Sequence, residues 1–251
     1  MEEPSGVALT QNKDALWVVS DDKKRIFCVD LNGKLRPEFT IKTKEKELEG
    51  ITLDKEGTLY IISEAKNKII IIGADGKFKD DKKLRNMDGY SAIAKFFDDD
   101  GRNKGLEGIT WREGSLFVLK ESHPGLLIEI SADLKAIKNY QFLNNENGFR
   151  VPNADTSKID FSGICHDPSR QCFWILSDMA QCLFLYSWEG NQVLKHFTLA
   201  YEEEGTLKEI RQAEGVAYNS SNQHLYVVSD LEARLYVFEV VAAESEVSEC
   251  Q

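Results

Sequence analysis

Long apolar runs, paired cysteines, helical periodicity and excess positive charge are all missing from this chain. No run of roughly 18 apolar residues occurs, so no membrane-spanning helix is expected here, and no signal peptide is visible. The cysteines are Cys28, Cys165, Cys172, Cys182 and Cys250. An odd count with no Cys-x-x-Cys speaks against a disulfide framework and a structural zinc site. They are expected to be small buried apolar residues plus one in the tail. Lysine and arginine number 31 against 42 acids, a net charge of −11. That balance argues against nucleic acid and anionic membrane surfaces and is compatible with binding cations. No Ser-His-Asp set, phosphate loop or nucleotide fingerprint is found. Helical periodicity is confined to YSAIAKFF (90–97), enough for a turn or two.

What is there is a repeat. Apolar residues make up 42% of 251, enough for the core of one large all-β domain. Five segments share one form: EPSGVAL, ELEGITL, GLEGITW, DFSGICH and QAEGVAY. Their glycines are Gly6, Gly50, Gly108, Gly163 and Gly215, at steps of 44, 58, 55 and 52 residues. A second element follows each: LWVVSD, LYIISE, LFVLKE, FWILSD and LYVVSD, whose acid lies 13 to 15 residues past the glycine. A third comes after a tight turn: RIFCVDL, KIIIIGA, GLLIEIS, CLFLYSW and RLYVFEV. Repeats one to four add a fourth candidate: EFTIK, a weak one near FKDDKKL, KNYQFL and VLKHFTL.

Short β-branched and aromatic segments parted by Asn-Gly, Glu-Gly and Asp-Gly turns read as strands. Four-strand units of about 50 residues are the signature of propeller blades. The expectation is an all-β, five-bladed propeller forming one domain. Its blades fall at about 3–44, 45–85, 103–143, 159–199 and 211–243, ahead of a flexible tail over 244–251. The fifth repeat lacks an outer strand, to be supplied by a segment ahead of Ser5 or by Val240–Ala243.

Propeller geometry gives the repeated acids a common address. The innermost strand of each blade lines the axis, and the link entering it lies on the face of the second-to-third-strand turn. The innermost position reads Ser5, Glu49, Glu107, Ser162, Glu214; the turn position reads Asp21, Glu64, Glu121, Asp178, Asp230. Up to eight carboxylates would meet at one end of a narrow pore. Three remedies for their repulsion stand open: protonation, hydrogen bonds from backbone N–H groups of the next blade, or a hard cation. Oxygen-only ligands at variable spacing suit calcium. The turn acids can equally be structural caps. Serine in two blades argues that Glu49, Glu107 and Glu214 do more than serve a uniform structural role.

These motifs, in the order EPSG, EG, NKGLEG, DxSG, QAEG from Glu3 to about Glu239, resemble the SdiA-regulated (YjiK-like) family of bacterial propeller proteins. That family is more distantly similar to phytase-like and gluconolactonase-like propellers. The resemblance implies a five-bladed propeller with calcium in or near the channel, and a place in the bacterial cell envelope or periplasm. It brings no established activity.

Outside the ring, Lys120 and His123 in KESHPG sit at the turn of blade three, on the acid-lined face, where Lys120 is a candidate to pair with a pore carboxylate or contact a ligand. A histidine there is a candidate ligand contact or general base. Three long links over the same face, 84–106, 143–161 and 200–213, add Arg150, Asn147 and Asn153 as ligand candidates. FDDDGRN (97–103) has the composition of a calcium loop, fails the EF-hand spacing, and reads as a solvated loop. His166, His196 and His224 read as structural. The function expected is a monomeric propeller that binds calcium and an unidentified small-molecule or protein ligand. The alternatives are a metal-dependent hydrolase of a phosphoester or lactone, and a protein-interaction scaffold.

Overall fold

The computed structural model describes residues 3–97, 105–151 and 159–241. Sheet pairing turns the repeats into five antiparallel blades. Blade one is β1 (Pro4–Leu9), β2 (Ala15–Ser20), β3 (Arg25–Asp30) and β4 (Ile41–Lys42). Blade two is β5 (Leu48–Leu53), β6 (Leu59–Ser63), β7 (Lys68–Ile72) and β8 (Phe78–Lys83). Blade three is β9 (Leu106–Arg112), β10 (Ser115–Lys120), β11 (Gly125–Ser131) and β12 (Ile137–Leu143). Blade four is β13 (Gly163–Asp167), β14 (Cys172–Ser177), β15 (Cys182–Ser187) and β16 (Gln192–Thr198). A hairpin, β17 (Ala200–Glu203) and β18 (Thr206–Glu209), leads to blade five: β19 (Ala213–Asn219), β20 (His224–Ser229) and β21 (Arg234–Glu239).

The innermost strands close a ring: β1 packs on β5 and β19, β9 on β5 and β13, and β13 on β19. Each blade interface has its own apolar core, which explains why the second and third strands are continuous rather than alternating apolar runs. Both faces of a blade are covered. Ile61 and Val19 fill the interface of blades one and two, and Ile62 and Val118 that of two and three. Phe117 and Phe173 meet at 4.8 Å between three and four. Trp174 and Val227 pack between four and five, and Tyr226 and Leu16 between five and one.

The repeated glycines are explained by close approach at the axis. A Cβ on Gly6 would stand 2.2 Å from the carbonyl oxygen of Glu49, and one on Gly50 2.6 Å from that of Glu107. Gly163 meets Glu214 O and Gly215 meets Ser5 O the same way, each at 2.6 Å. Each innermost strand thus abuts the backbone of the next.

EFTIK forms only the two-residue β4, because Pro37–Phe39 makes a 3-10 turn instead. The weak candidate FKDDKKL is a full strand, β8. YSAIAKFF makes two 3-10 turns, Tyr90–Ala92 and Ala94–Phe96. The link 200–213 holds the β17–β18 hairpin, whose turn residues Glu204 and Gly205 both have positive φ (52° and 75°). Blade five has three strands among the described residues. Ring closure is nevertheless reinforced by Lys13 of blade one, whose Nζ donates to Ser220 Oγ at 3.2 Å and Ser221 Oγ at 3.4 Å in blade five. Cys28, Cys165, Cys172 and Cys182 are free and buried; Cys250, Asn153 and nearly all of FDDDGRN lie outside the described residues. Among the described residues, no helix is long and apolar enough to cross a membrane.

Candidate metal centre at the acidic mouth

Strand pairing fixes the address of the acids. Leu48 pairs with Ser63, Leu106 with Lys120 and Ala213 with Ser229, so the start of each innermost strand adjoins the end of the second. The innermost strands of blades one, two, three and five carry an irregularity at the acid–glycine position. In blade three, Leu106 and Ile109 oppose Lys120 and Val118, three steps against two. A β-bulge of this kind re-aims a side chain, and here it coincides with Glu49, Glu107 and Glu214.

The resulting mouth is a cavity of about 260 Å³. Glu49, Glu107 and Glu214 line it from the innermost strands, and Asp21, Glu64, Glu121 and Asp230 from the turns. Ser5 and Ser162 complete the innermost ring, and both are buried. Ser162 Oγ donates to Ala213 O at 2.8 Å, tying blade four to blade five. Seven of the eight expected carboxylates therefore share the mouth. The eighth, Asp178, stands behind it, its Oδ1 accepting Ala213 N–H at 3.2 Å and Gln181 Nε2 at 2.9 Å.

The residue sequence reasoning missed is Asp160, which also lines the mouth. Its Oδ1 accepts from Ser177 Oγ at 2.8 Å and Met179 N–H at 3.0 Å. A signal existed: the position three before each glycine reads Glu3, Glu47, Gly105, Asp160, Gln212. The two blades with serine in the innermost ring carry an acid two residues earlier.

Burial and mutual repulsion shape the protonation of the ring. Burial first, then the charges of Asp21 and Glu64, push Glu49 up to about 8. Burial and then Asp178 and Glu49 push Glu214 up to about 9. Glu107 is raised well above the carboxylate range by burial and by Glu49, Glu64, Glu121 and Glu214. Asp178 and Asp230 are raised too, each chiefly by burial. Asp230 Oδ1 is shielded from solvent with no hydrogen-bond partner among the described residues.

Within this ring, Glu64, Glu107 and Glu121 offer oxygens that all lie within 4.8 Å of one another. Blade two meets blade three here. Gly105 N–H donates to Glu64 Oε1 at 3.2 Å, and Glu121 N–H donates to Gly105 O at 3.1 Å. One residue, Gly105, thus ties the Glu64 carboxylate and the Glu121 backbone to the strand that carries Glu107. The donor set is all oxygen, anionic and irregular, which fits a large hard cation with flexible coordination; the cavity leaves room for water to complete it.

Inward from the acids the axis narrows to a waist of about 10 Å³, walled by the glycines, by Val7, Ile51, Ile109, Ile164 and Val216, and by Glu49, Ser162 and Glu214 of the mouth.

The other candidates lie elsewhere. Lys120 is buried (1% exposed), its ammonium donating to the carbonyls of Ser122 and, at 3.5 Å, Pro124, with the Phe97 ring centroid 5.6 Å away. It braces its own turn. His123 is exposed, its Nδ1 3.0 Å from Ser122 Oγ. Arg150 is exposed and folds back on its own loop, Nε donating to Asn145 O at 2.7 Å. Asn147 accepts Asn144 N–H at 3.0 Å within that loop and donates to Asn191 Oδ1 at 2.8 Å. None of the four is among the residues lining the mouth.

Comparison with known proteins agrees with this architecture. The SdiA-regulated family model matches residues 2–239. No curated protein sequence matches the chain. Among solved structures, Myxococcus xanthus glutaminyl cyclase superposes with a TM-score of 0.67 at 11% identity, covering 96% of this chain and 92% of that one. Kuenenia stuttgartiensis hydrazine synthase gives 0.58 at 8% identity, covering 96% of each. The Cps50 (Swd1) β-propeller domain of Myceliophteria thermophila gives 0.52 at 12% identity, covering 100% of this chain and 70% of that one. At such identities the likeness is one of fold alone.

Proposed function

The chain belongs to the SdiA-regulated family, and we propose that it is a divalent-cation-binding propeller whose cation is calcium. The observation that carries this reading is the approach of Glu64, Glu107 and Glu121 oxygens to within 4.8 Å of one another, inside a mouth with four further carboxylates from the repeat. Like charges held so close call for a counter-ion or for protons. Calcium takes oxygen ligands in variable number, which suits an irregular set; magnesium demands near-ideal octahedral geometry. Glu64, Glu107 and Glu121 would hold the ion, with Glu49 and Glu214 facing it across the ring. The reading is one of binding rather than hydrolysis. His123, the expected base of a hydrolytic site, is exposed and is not among the residues lining the mouth.

The test is thermal. Calcium added to chelator-treated protein is expected to raise the melting temperature, as any ligand specific to the folded state does. Glu107→Gln is expected to lose the shift. An unshifted wild type, together with no calcium retained after gel filtration by elemental analysis, would overturn the proposal.

A further inference from the structure

The mouth at the far end of the axis has the opposite chemistry. It is a cavity of about 190 Å³ on the face the acids do not occupy, with the narrow waist between the two. All five innermost strands contribute. At the third residue past each repeat glycine stand Leu9, Leu53, Trp111, His166 and Tyr218. The indole of Trp111 is held in place by stacking on Tyr60, 5.9 Å between centroids and 13° between planes. The same five strands therefore carry the acidic ring at one mouth and, four residues further along, a ring of aromatic and aliphatic residues at the other.

Charge is segregated as well. Among the described residues lining this cavity no carboxylate occurs, and Lys13 is its one formal charge. The two partners of Lys13 Nζ are the neutral hydroxyls of Ser220 and Ser221. Lys13 is exposed, and the acid next to it in sequence, Asp14, accepts from Thr10 and pairs with Arg36 instead. One wall also holds an unmet polar atom: His166 Nε2 is shielded from solvent and has no hydrogen-bond partner among the described residues. Native interiors seldom leave such an atom unpaired. Concave, mostly apolar cavities with a few polar groups are the usual form of small-molecule sites. This one is below the roughly 300–1,000 Å³ typical of such sites, which restricts it to a small ligand.

We propose that this second mouth binds a small organic monoanion with an apolar body, an aromatic or short-chain carboxylate, seated against Trp111, Leu9 and Leu53 with its carboxylate at Lys13. The site shares no lining residue with the acidic mouth.

Sodium benzoate is the probe, with benzamide as its uncharged counterpart, followed by calorimetry and ligand-observed NMR on the full chain. Saturable benzoate binding is expected, weakened roughly two- to fivefold in Lys13→Met, the weight of one solvent-exposed charge contact. It should be lost in Leu53→Glu, which sets a like charge in the cup, and unchanged by calcium or by Glu107→Gln. If Leu53→Glu lowers the melting temperature, Leu9→Asp replaces it. Absence of saturable binding to the wild type would overturn the proposal. So would binding that survives both the lysine and the leucine variants, or benzamide binding as tightly as benzoate.

Discussion

Glu64, at the end of the second strand of blade two, accepts the backbone N–H of Gly105, two residues ahead of Glu107 in blade three, at 3.2 Å. Blades four and five repeat the relationship: Asp178 accepts the N–H of Ala213, one residue ahead of Glu214, at 3.2 Å. A turn acid of one blade thus fixes the entry of the next blade's innermost strand. Glu64 does this while also offering an oxygen to the cluster with Glu107 and Glu121. The two roles separate by mutation. Glu64→Gln keeps an oxygen for Gly105 but loses the charge. It should unfold in denaturant near the wild-type midpoint and bind calcium at least about tenfold more weakly, roughly 1.4 kcal/mol. Glu64→Ala should lose the same affinity and, by leaving Gly105 N–H unmet, about 1–2 kcal/mol of stability besides.

The ring of raised carboxyls makes stability depend on pH in an unusual direction. Glu49 is pushed to about 8 and Glu214 to about 9 in the folded chain, chiefly by burial. Unfolded, both return to the ordinary range near 4.5. The folded state therefore binds more protons between these limits, and stability falls as pH rises. The contribution is complete below about 4.5 and is lost as pH passes 8 to 9. In chelator, the melting temperature is expected to decline from pH 5 to pH 9, against the usual trend of a carboxylate-rich protein. Saturating calcium should flatten or invert that slope. The check is a melt series at both conditions, with Glu49→Gln and Glu214→Gln shrinking the decline in chelator.

Much of this was legible in the sequence because the repeat is written in chemistry that allows few substitutes. Gly6, Gly50, Gly163 and Gly215 sit where a Cβ would strike a neighbouring blade's carbonyl, so the glycine rhythm reports the ring itself. The paired positions of Glu107 and Glu121 followed from strand direction alone. The missing parts depend on what periodicity does not encode. The bulges that aim Glu49, Glu107 and Glu214 inward leave no mark beyond the acid–glycine pair. Asp160 escaped notice because in blade four alone the mouth acid stands two residues ahead of the serine that holds the ring position. Lys120 looked like a pore cation because its strand ends at the acidic face, yet its long side chain turns back under its own loop.

The glycine ring carries its own prediction. Gly50→Ala places a methyl group 2.6 Å from Glu107 O and 2.9 Å from Ile109 N, both backbone atoms of the adjoining strand. Backbone cannot swing aside as a side chain can. The substitution should therefore cost about 1–3 kcal/mol in denaturant unfolding, the usual penalty of overpacking. Because blades two and three part slightly, calcium affinity should fall with it. Glu64, Glu107 and Glu121 span that interface. A Gly50→Ala protein of wild-type stability would mean that the blades are held less tightly than the packing indicates.

Lys120 separates bracing from electrostatics at the pore. Its ammonium is buried, donates to the carbonyls of Ser122 and Pro124 and lies over the Phe97 ring. Lys120→Met keeps the apolar stem and removes the donors, leaving turn carbonyls unmet at a cost of about 1–3 kcal/mol. Were Lys120 a counter-charge for the acids, its loss would instead strengthen calcium binding, since the ion would no longer compete with a resident cation. The bracing role leads to a lower denaturation midpoint with a calcium midpoint changed less than about twofold, a few tenths of a kcal/mol. Calcium titrations of the variant and wild type at matched fractions folded decide between the two, because the first role moves the denaturation curve and the second moves the titration.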